Sequence, residues 1–154
     1  MLPSYTTFLA ESLNSRYPYL QTSRTGDSRK YLFIDEKENK YLVTIGISNA
    51  TKILSVSFKD TSVDNYYKTG KSANAMKVFS TIGYIIQEVV GNGPLKTYGI
   101  YFSAIKNEPS RIILYKRLAA MLARATNGTF DSVEGYYDIS YYVYPAGYKP
   151  SIVD

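Results

Sequence analysis

The stretch from Thr69 to Asn74 is short and polar, and it directly precedes an apolar pattern with helical spacing. Free amide groups and the dipole at a helix N-terminus favour an anion such as a phosphate. A glycine in such a loop lets the ligand approach the backbone, and flanking lysines add positive charge. An ordinary solvated loop is the alternative. The candidate anion-binding residues are Lys68, Gly70, Lys71, Ser72, Ala73 and Asn74.

The Gly-Lys-Ser triplet at residues 70–72 also occurs in the P-loop of nucleotide triphosphatases. That motif needs another glycine five positions before Gly70, and this chain has Asn65 there. The sequence therefore excludes a P-loop and keeps the simpler hypothesis of an anion at a helix N-terminus.

The chain of 154 residues contains no cysteine and no histidine, which excludes disulfides, thiolate chemistry, histidine-based triads and nearly all zinc sites. Its net charge of +5 suits an anionic partner. The 17 tyrosines are typical of strand residues whose rings have one edge in contact with water, or of a surface that stacks nucleic-acid bases. We predict no metal site. The candidate general bases are Asp60, Glu36 and Glu38, and Asp60 is preferred because it ends a predicted strand.

Hydrophobic periodicity predicts three helices: a short one over Thr6–Ser15, one from Ala75 to Val89, and one that starts at Pro109. Alternating or apolar runs predict two strands around the polar turn at residues 35–39, and further strands over 51–60, 97–105 and 134–147.

This order predicts an α/β fold: one mixed, twisted sheet with helices on both faces, in a single domain spanning residues 1–154. In the last strand, Tyr141 and Val143 are predicted to point one way, and Tyr136, Tyr142 and Tyr144 the other. Neither a membrane span nor a secretion signal is recognisable, so we expect a cytoplasmic protein.

The predicted elements follow in the order strand, small-residue loop, helix, strand and a helix that carries the segment Leu114–Leu118. This order resembles the GNAT superfamily of acyl-CoA-dependent N-acyltransferases. The resemblance covers about residues 53–143. It implies that the loop amides hold the pyrophosphate of coenzyme A. Tyr67, Gly70 and Ser72 occupy the positions of the family's loop motif, and Gly70 matches it outright.

The same resemblance gives Tyr115 the role of protonating the departing coenzyme A thiolate. Asn107 lies one position before the family's usual asparagine, and Arg111 replaces its alanine. Both are candidate cofactor-binding residues. A core tyrosine is the alternative for Tyr115, and a solvated helix face is the alternative for Arg111, Lys116, Arg117 and Arg124.

The first functional hypothesis is transfer of an acetyl group from acetyl-CoA to an unidentified amine. The chain also resembles GNAT-like bacteriophage proteins, which implies a host bacterial cytoplasm. The second hypothesis is therefore a weak or inactive GNAT-fold protein that binds a host protein. Its anchors would be the exposed tyrosines of the last strand, with Arg117 and Arg124 nearby. Nucleic-acid binding is a weaker alternative.

Overall fold

The computed structural model describes residues 16–61, 75–91, 93–106 and 109–149, and the side chains of residues 60 and 109–111 fall outside this description. The described residues form a seven-stranded sheet, two α-helices and one short 3-10 helix. In chain order the elements are β1 (Tyr19–Arg24), β2 (Ser28–Ile34), β3 (Lys40–Ser48), β4 (Ile53–Asp60), α1 (Ala75–Val90), the 3-10 helix (Pro94–Thr97), β5 (Gly99–Ile105), α2 (Pro109–Ala125), β6 (Thr129–Glu134) and β7 (Asp138–Tyr144).

The strands lie in the order β1-β2-β3-β4-β5-β7-β6. The first four form an antiparallel meander because short turns connect them, and a bulge interrupts β1 between Gln21 and Ser23. Side chains on β3 alternate between fully buried and half-buried, which is typical of a strand with one covered face. The mixed sheet predicted from the sequence is confirmed.

A single parallel pairing joins the two parts of this sheet, between β4 and β5. It consists of three residue pairs, Ile53 with Gly99, Leu54 with Ile100, and Ser55 with Tyr101. Beyond these pairs both strands continue without pairing to each other, β4 to residue 60 and β5 to residue 105. The strands therefore stop pairing toward their carboxyl ends, and the gap in pairing between them is called the cleft below.

Both described α-helices cover the same face of the sheet. Phe79 of α1 and Tyr115 of α2 each contact Phe58 on β4, and α1 packs directly against α2. The predicted periodicity of α1 is confirmed, since its buried side includes Val78, Phe79, Ile82, Ile85 and Ile86. The predicted helix over residues 6–15 lies outside the described residues.

Two strands were missing from the sequence-based prediction, β1 and β6, and one strand was predicted where a hairpin exists. The segment 134–147 does not form one strand, because Gly135–Tyr137 makes the turn between β6 and β7. Tyr136 and Tyr137 are consequently exposed at the turn, at 86% and 75%. The predicted alternation holds within β7, where Tyr141 and Val143 are buried.

Candidate active site

Tyr115 lies at the point where β4 and β5 separate. Its ring centroid is 5.7 Å from Phe58 on β4 and 5.4 Å from Phe102 on β5, and both of these residues lie beyond the last parallel pair. Phe79 of α1 packs edge-on against the same ring at 5.1 Å. Helix α2 thus places one tyrosine across both strands of the cleft.

Tyr115 is 5% exposed, and its ring is stacked on Tyr141 of β7 with a centroid distance of 6.3 Å and an interplanar angle of 8°. The hydroxyl of Tyr141 donates to the backbone carbonyl of Ile112, 3.3 Å away. Burial raises the pKa of Tyr141. This rise keeps the Tyr141 phenol protonated at neutral pH.

The predicted anion-binding residues Lys68, Gly70, Lys71, Ser72, Ala73 and Asn74 lie outside the described residues, as do Asn107 and the side chain of Arg111. Their roles stay predictions. The helix that follows the loop starts at Ala75, and Phe79 in its second turn contacts Phe58 near the end of β4. The N-terminus of α1 therefore lies at the same end of the sheet as the cleft.

None of the three candidate bases gains a clear role. The side chain of Asp60 lies outside the description, and Glu38 sits at a turn with a φ of 65°. Glu36 accepts a 2.6 Å hydrogen bond from the Tyr17 hydroxyl, and this bond, with Lys77 at 3.9 Å, lowers the Glu36 pKa. The predicted turn is confirmed, and both Glu36 and Glu38 are exposed in it, although Glu36 also contacts Tyr17 and Lys77.

Sequence reasoning overlooked Asp35, a buried carboxylate at the end of β2. It accepts hydrogen bonds from the backbone amides of Lys37 and Asn39, from the Asn39 side chain, and from the Tyr41 hydroxyl at 3.1 Å. These bonds hold together the turn into β3. An Asp followed by Asn four residues later, inside a polar turn, is the sequence signal that could have identified it.

The basic residues Lys116, Arg117 and Arg124 of α2 are exposed, which confirms their prediction as a solvated helix face. The prediction that Arg117 and Arg124 lie near the tyrosines of the last strand is wrong. Helix α2 covers the face of β7 that carries Tyr141, whereas Tyr142 points to the opposite face, where it contacts Tyr101.

Within the described part of the chain, no group of three or more acidic side chains could hold a metal ion. None of the helices in that part is long and apolar enough to cross a membrane.

A chimera of spermidine N-acetyltransferase SpeG from Vibrio cholerae and hSSAT matches this structure with a TM-score of 0.50. The two sequences are 14% identical, over 81% of this chain and 70% of that chain. This chain therefore shares its fold with that N-acetyltransferase chimera. A mutant of SpeG from Vibrio cholerae gives a TM-score of 0.48 at 15% identity, over 79% of this chain and 68% of that chain. No protein-family model and no curated protein sequence matches the chain.

Proposed function

We propose that this protein transfers an acyl group, in the first instance acetyl, from an acyl-CoA to an amine. The observation that carries the proposal is the position of Tyr115, whose ring contacts one residue on each of the two separating strands. The GNAT fold of the chain supports the same reaction class, since the chimera of similar fold is described as a spermidine N-acetyltransferase. The acceptor amine of this chain is left open.

The cleft suits the pantetheine arm of coenzyme A. Backbone groups on the edges of β4 and β5 that face the cleft have no sheet partner across it beyond Ser55 and Tyr101. Amide groups of an extended ligand can satisfy such backbone donors and acceptors. The loop at residues 68–74 is the predicted site for the pyrophosphate, next to the N-terminus of α1.

Acetyl-CoA brings an activated thioester to the reaction. The chain contributes position and polarity: backbone amides at the cleft orient and polarise a carbonyl placed there. The Tyr115 hydroxyl holds a proton for a leaving thiolate. The aromatic side chains of Phe58, Phe79 and Phe102 keep water away from the ring.

The central test removes one hydroxyl. Tyr115→Phe should fold normally, because all four ring contacts can be kept. Acetyl-CoA consumption with pooled amines and peptides should then fall by roughly 100- to 10,000-fold, in the range of a lost general acid. Tyr141→Phe is the matched control, since it removes a hydroxyl from the same aromatic cluster. An equal loss in both variants would assign the effect to packing rather than to proton donation.

The predicted phosphate site is tested separately by calorimetry. Gly70→Asp should weaken coenzyme A binding through bulk and charge repulsion, whereas an unchanged affinity would remove the loop from the site. The rival function, a GNAT-fold protein that binds a host protein, is tested by a pull-down from bacterial lysate. A stoichiometric partner that also binds Tyr115→Phe, together with no turnover of acetyl-CoA, would replace the enzymatic proposal.

A further inference from the structure

A cavity of about 730 Å³ lies between the β1–β2 hairpin and the C-terminal end of α1. Its volume falls in the range of small-molecule sites, roughly 300–1,000 Å³. Ile47 lines it and pairs with Leu54 on β4, where β4 is still joined to β5. The cavity is therefore at the opposite end of the sheet from the cleft, and the acyl-transfer proposal does not use it.

Two arginines on neighbouring strands line this cavity. Arg24 on β1 and Arg29 on β2 are direct partners in the strand register. Like charges placed opposite each other on adjacent strands are destabilising unless something compensates them. Neither arginine forms a salt bridge with a carboxylate of the described residues. A bound anion would supply the missing compensation.

Tyr31 brings a hydroxyl to the same wall of the cavity. Burial and the Glu88 carboxylate raise the pKa of its phenol, and Arg29 and Arg24 oppose that rise. Arg29 and Tyr31 are two residues apart on β2 and Arg24 pairs with Arg29, so the three side chains lie on the same face of the hairpin. Two guanidinium groups and one hydroxyl form a donor set that matches the oxygens of a phosphate or a carboxylate.

The opposite wall, at the last turns of α1, accepts hydrogen bonds instead. Glu88 lines the cavity there, and burial together with the Glu88 carboxylate raises the pKa of the Tyr19 phenol. The last turns of α1 also carry no basic residue, so the negative end of the helix dipole faces the cavity uncompensated. Tyr19, Ile47 and Leu95 supply the apolar surface between the two walls.

We propose that this cavity binds a small organic oxyanion, a phosphorylated or carboxylated metabolite. Its anionic group lies between Arg24 and Arg29, and a hydroxyl or amino group points toward Glu88. The arrangement of charges favours this ligand over a simple cation, because the two arginines outweigh the one carboxylate and the helix end, which carries roughly half a negative charge.

The proposal is tested by calorimetry on the full chain with three probes: inorganic phosphate, adenosine monophosphate and citrate. Arg24→Gln is the main variant, because Arg24 is exposed, whereas Arg29 also donates to the backbone carbonyls of Thr25 and Ser28. Loss of a charged hydrogen-bond donor should raise the dissociation constant about 10- to 100-fold. Arg124→Gln, which makes the same change of charge on exposed α2, is the matched control and should bind like the parent protein.

Tighter binding of phosphate or adenosine monophosphate would identify a phosphorylated ligand, and tighter binding of citrate a carboxylated one. In either case the affinity should fall as salt is added, because the arginines are near the surface. The proposal is overturned if none of the three probes binds, or if Arg124→Gln weakens binding as much as Arg24→Gln does. These outcomes are independent of acyl transfer, which is measured through Tyr115.

Discussion

Replacing Gly83 by valine should loosen the contact between α1 and α2 on which the Tyr115 site depends. A Cβ atom at Gly83 would overlap the terminal methyl of Met121 and lie 3.3 Å from a methyl of Leu118. Phe79 is one turn before Gly83 on α1, and it packs against Tyr115 on α2. The close approach at Gly83 therefore helps to set the position of the candidate catalytic ring.

The size of the effect follows from two opposing contributions. Alanine at Gly83 gains about 1 kcal/mol of helix propensity, and the flexible end of Met121 can move away from one added methyl group. Gly83→Ala should therefore change the free energy of unfolding by no more than about 1 kcal/mol. Gly83→Val adds two further methyl groups to a filled interface and should cost about 1–3 kcal/mol. For a chain of this size that lowers the melting temperature by roughly 2–12 °C.

Urea unfolding followed by far-UV circular dichroism measures these differences, and a double-mutant cycle tests their cause. Met121→Ala alone should be destabilising by about 2 kcal/mol or more, because it removes buried side-chain atoms. Combined with Gly83→Val, it should vacate the space that valine needs. The double variant should then be more stable than the sum of the single effects predicts, by about 0.5–3 kcal/mol. Strict additivity would show that the two helices do not meet at Gly83, and it would refute the reasoning.

Three further predictions concern stability. Gly128→Ala should lower the free energy of unfolding, measured by thermal denaturation, by about 3 kcal/mol or more, because the added Cβ atom would overlap the Tyr144 carbonyl oxygen. Gly26→Ala should lower it less, because a Cβ atom at Gly26 would have no other atom within 4 Å. Gly91→Ala should cost about 1–2 kcal/mol, because Gly91 ends α1 with a φ of 49°. Burial alone would raise the pKa of Asp35, but hydrogen bonding holds this pKa below its ordinary value. The stability that the Asp35 carboxylate contributes is therefore lost as the pH falls below about 4. Asp35→Asn should flatten that part of the pH–stability curve, and an unchanged curve would contradict the assignment.

The strands that the sequence failed to predict are the two at the edges of the sheet. Most side chains of β1 and β6 are exposed, because each strand has a neighbour on one side only. Such strands need no regular apolar alternation, so hydrophobic periodicity cannot detect them. The inner strands and α1 bury a continuous face, and that face is visible as a pattern in the sequence.

The hairpin between β6 and β7 was misread for a related reason. Tyr136 and Tyr137 are residue types that favour strands, but here they lie exposed in a turn. The candidate site was partly accessible to prediction, since the resemblance named Tyr115. Its aromatic neighbours were not, because Phe58, Phe79, Phe102 and Tyr141 come from four different elements. Contacts between distant segments leave no local signal.

The short parallel joint between β4 and β5 also has a mechanical consequence. With three residue pairs, backbone hydrogen bonding between β4 and β5 contributes little to holding β1–β4 to β5–β7, and side-chain packing, including that between α1 and α2, supplies the rest of the connection. Partial unfolding, or force applied to the chain ends, should therefore part the molecule along this seam before either set of strands unravels. The part that contains β5–β7 also contains α2. Its separation would therefore remove Tyr115 from Phe58 and Phe79, whereas the contact of Tyr115 with Phe102 would be kept.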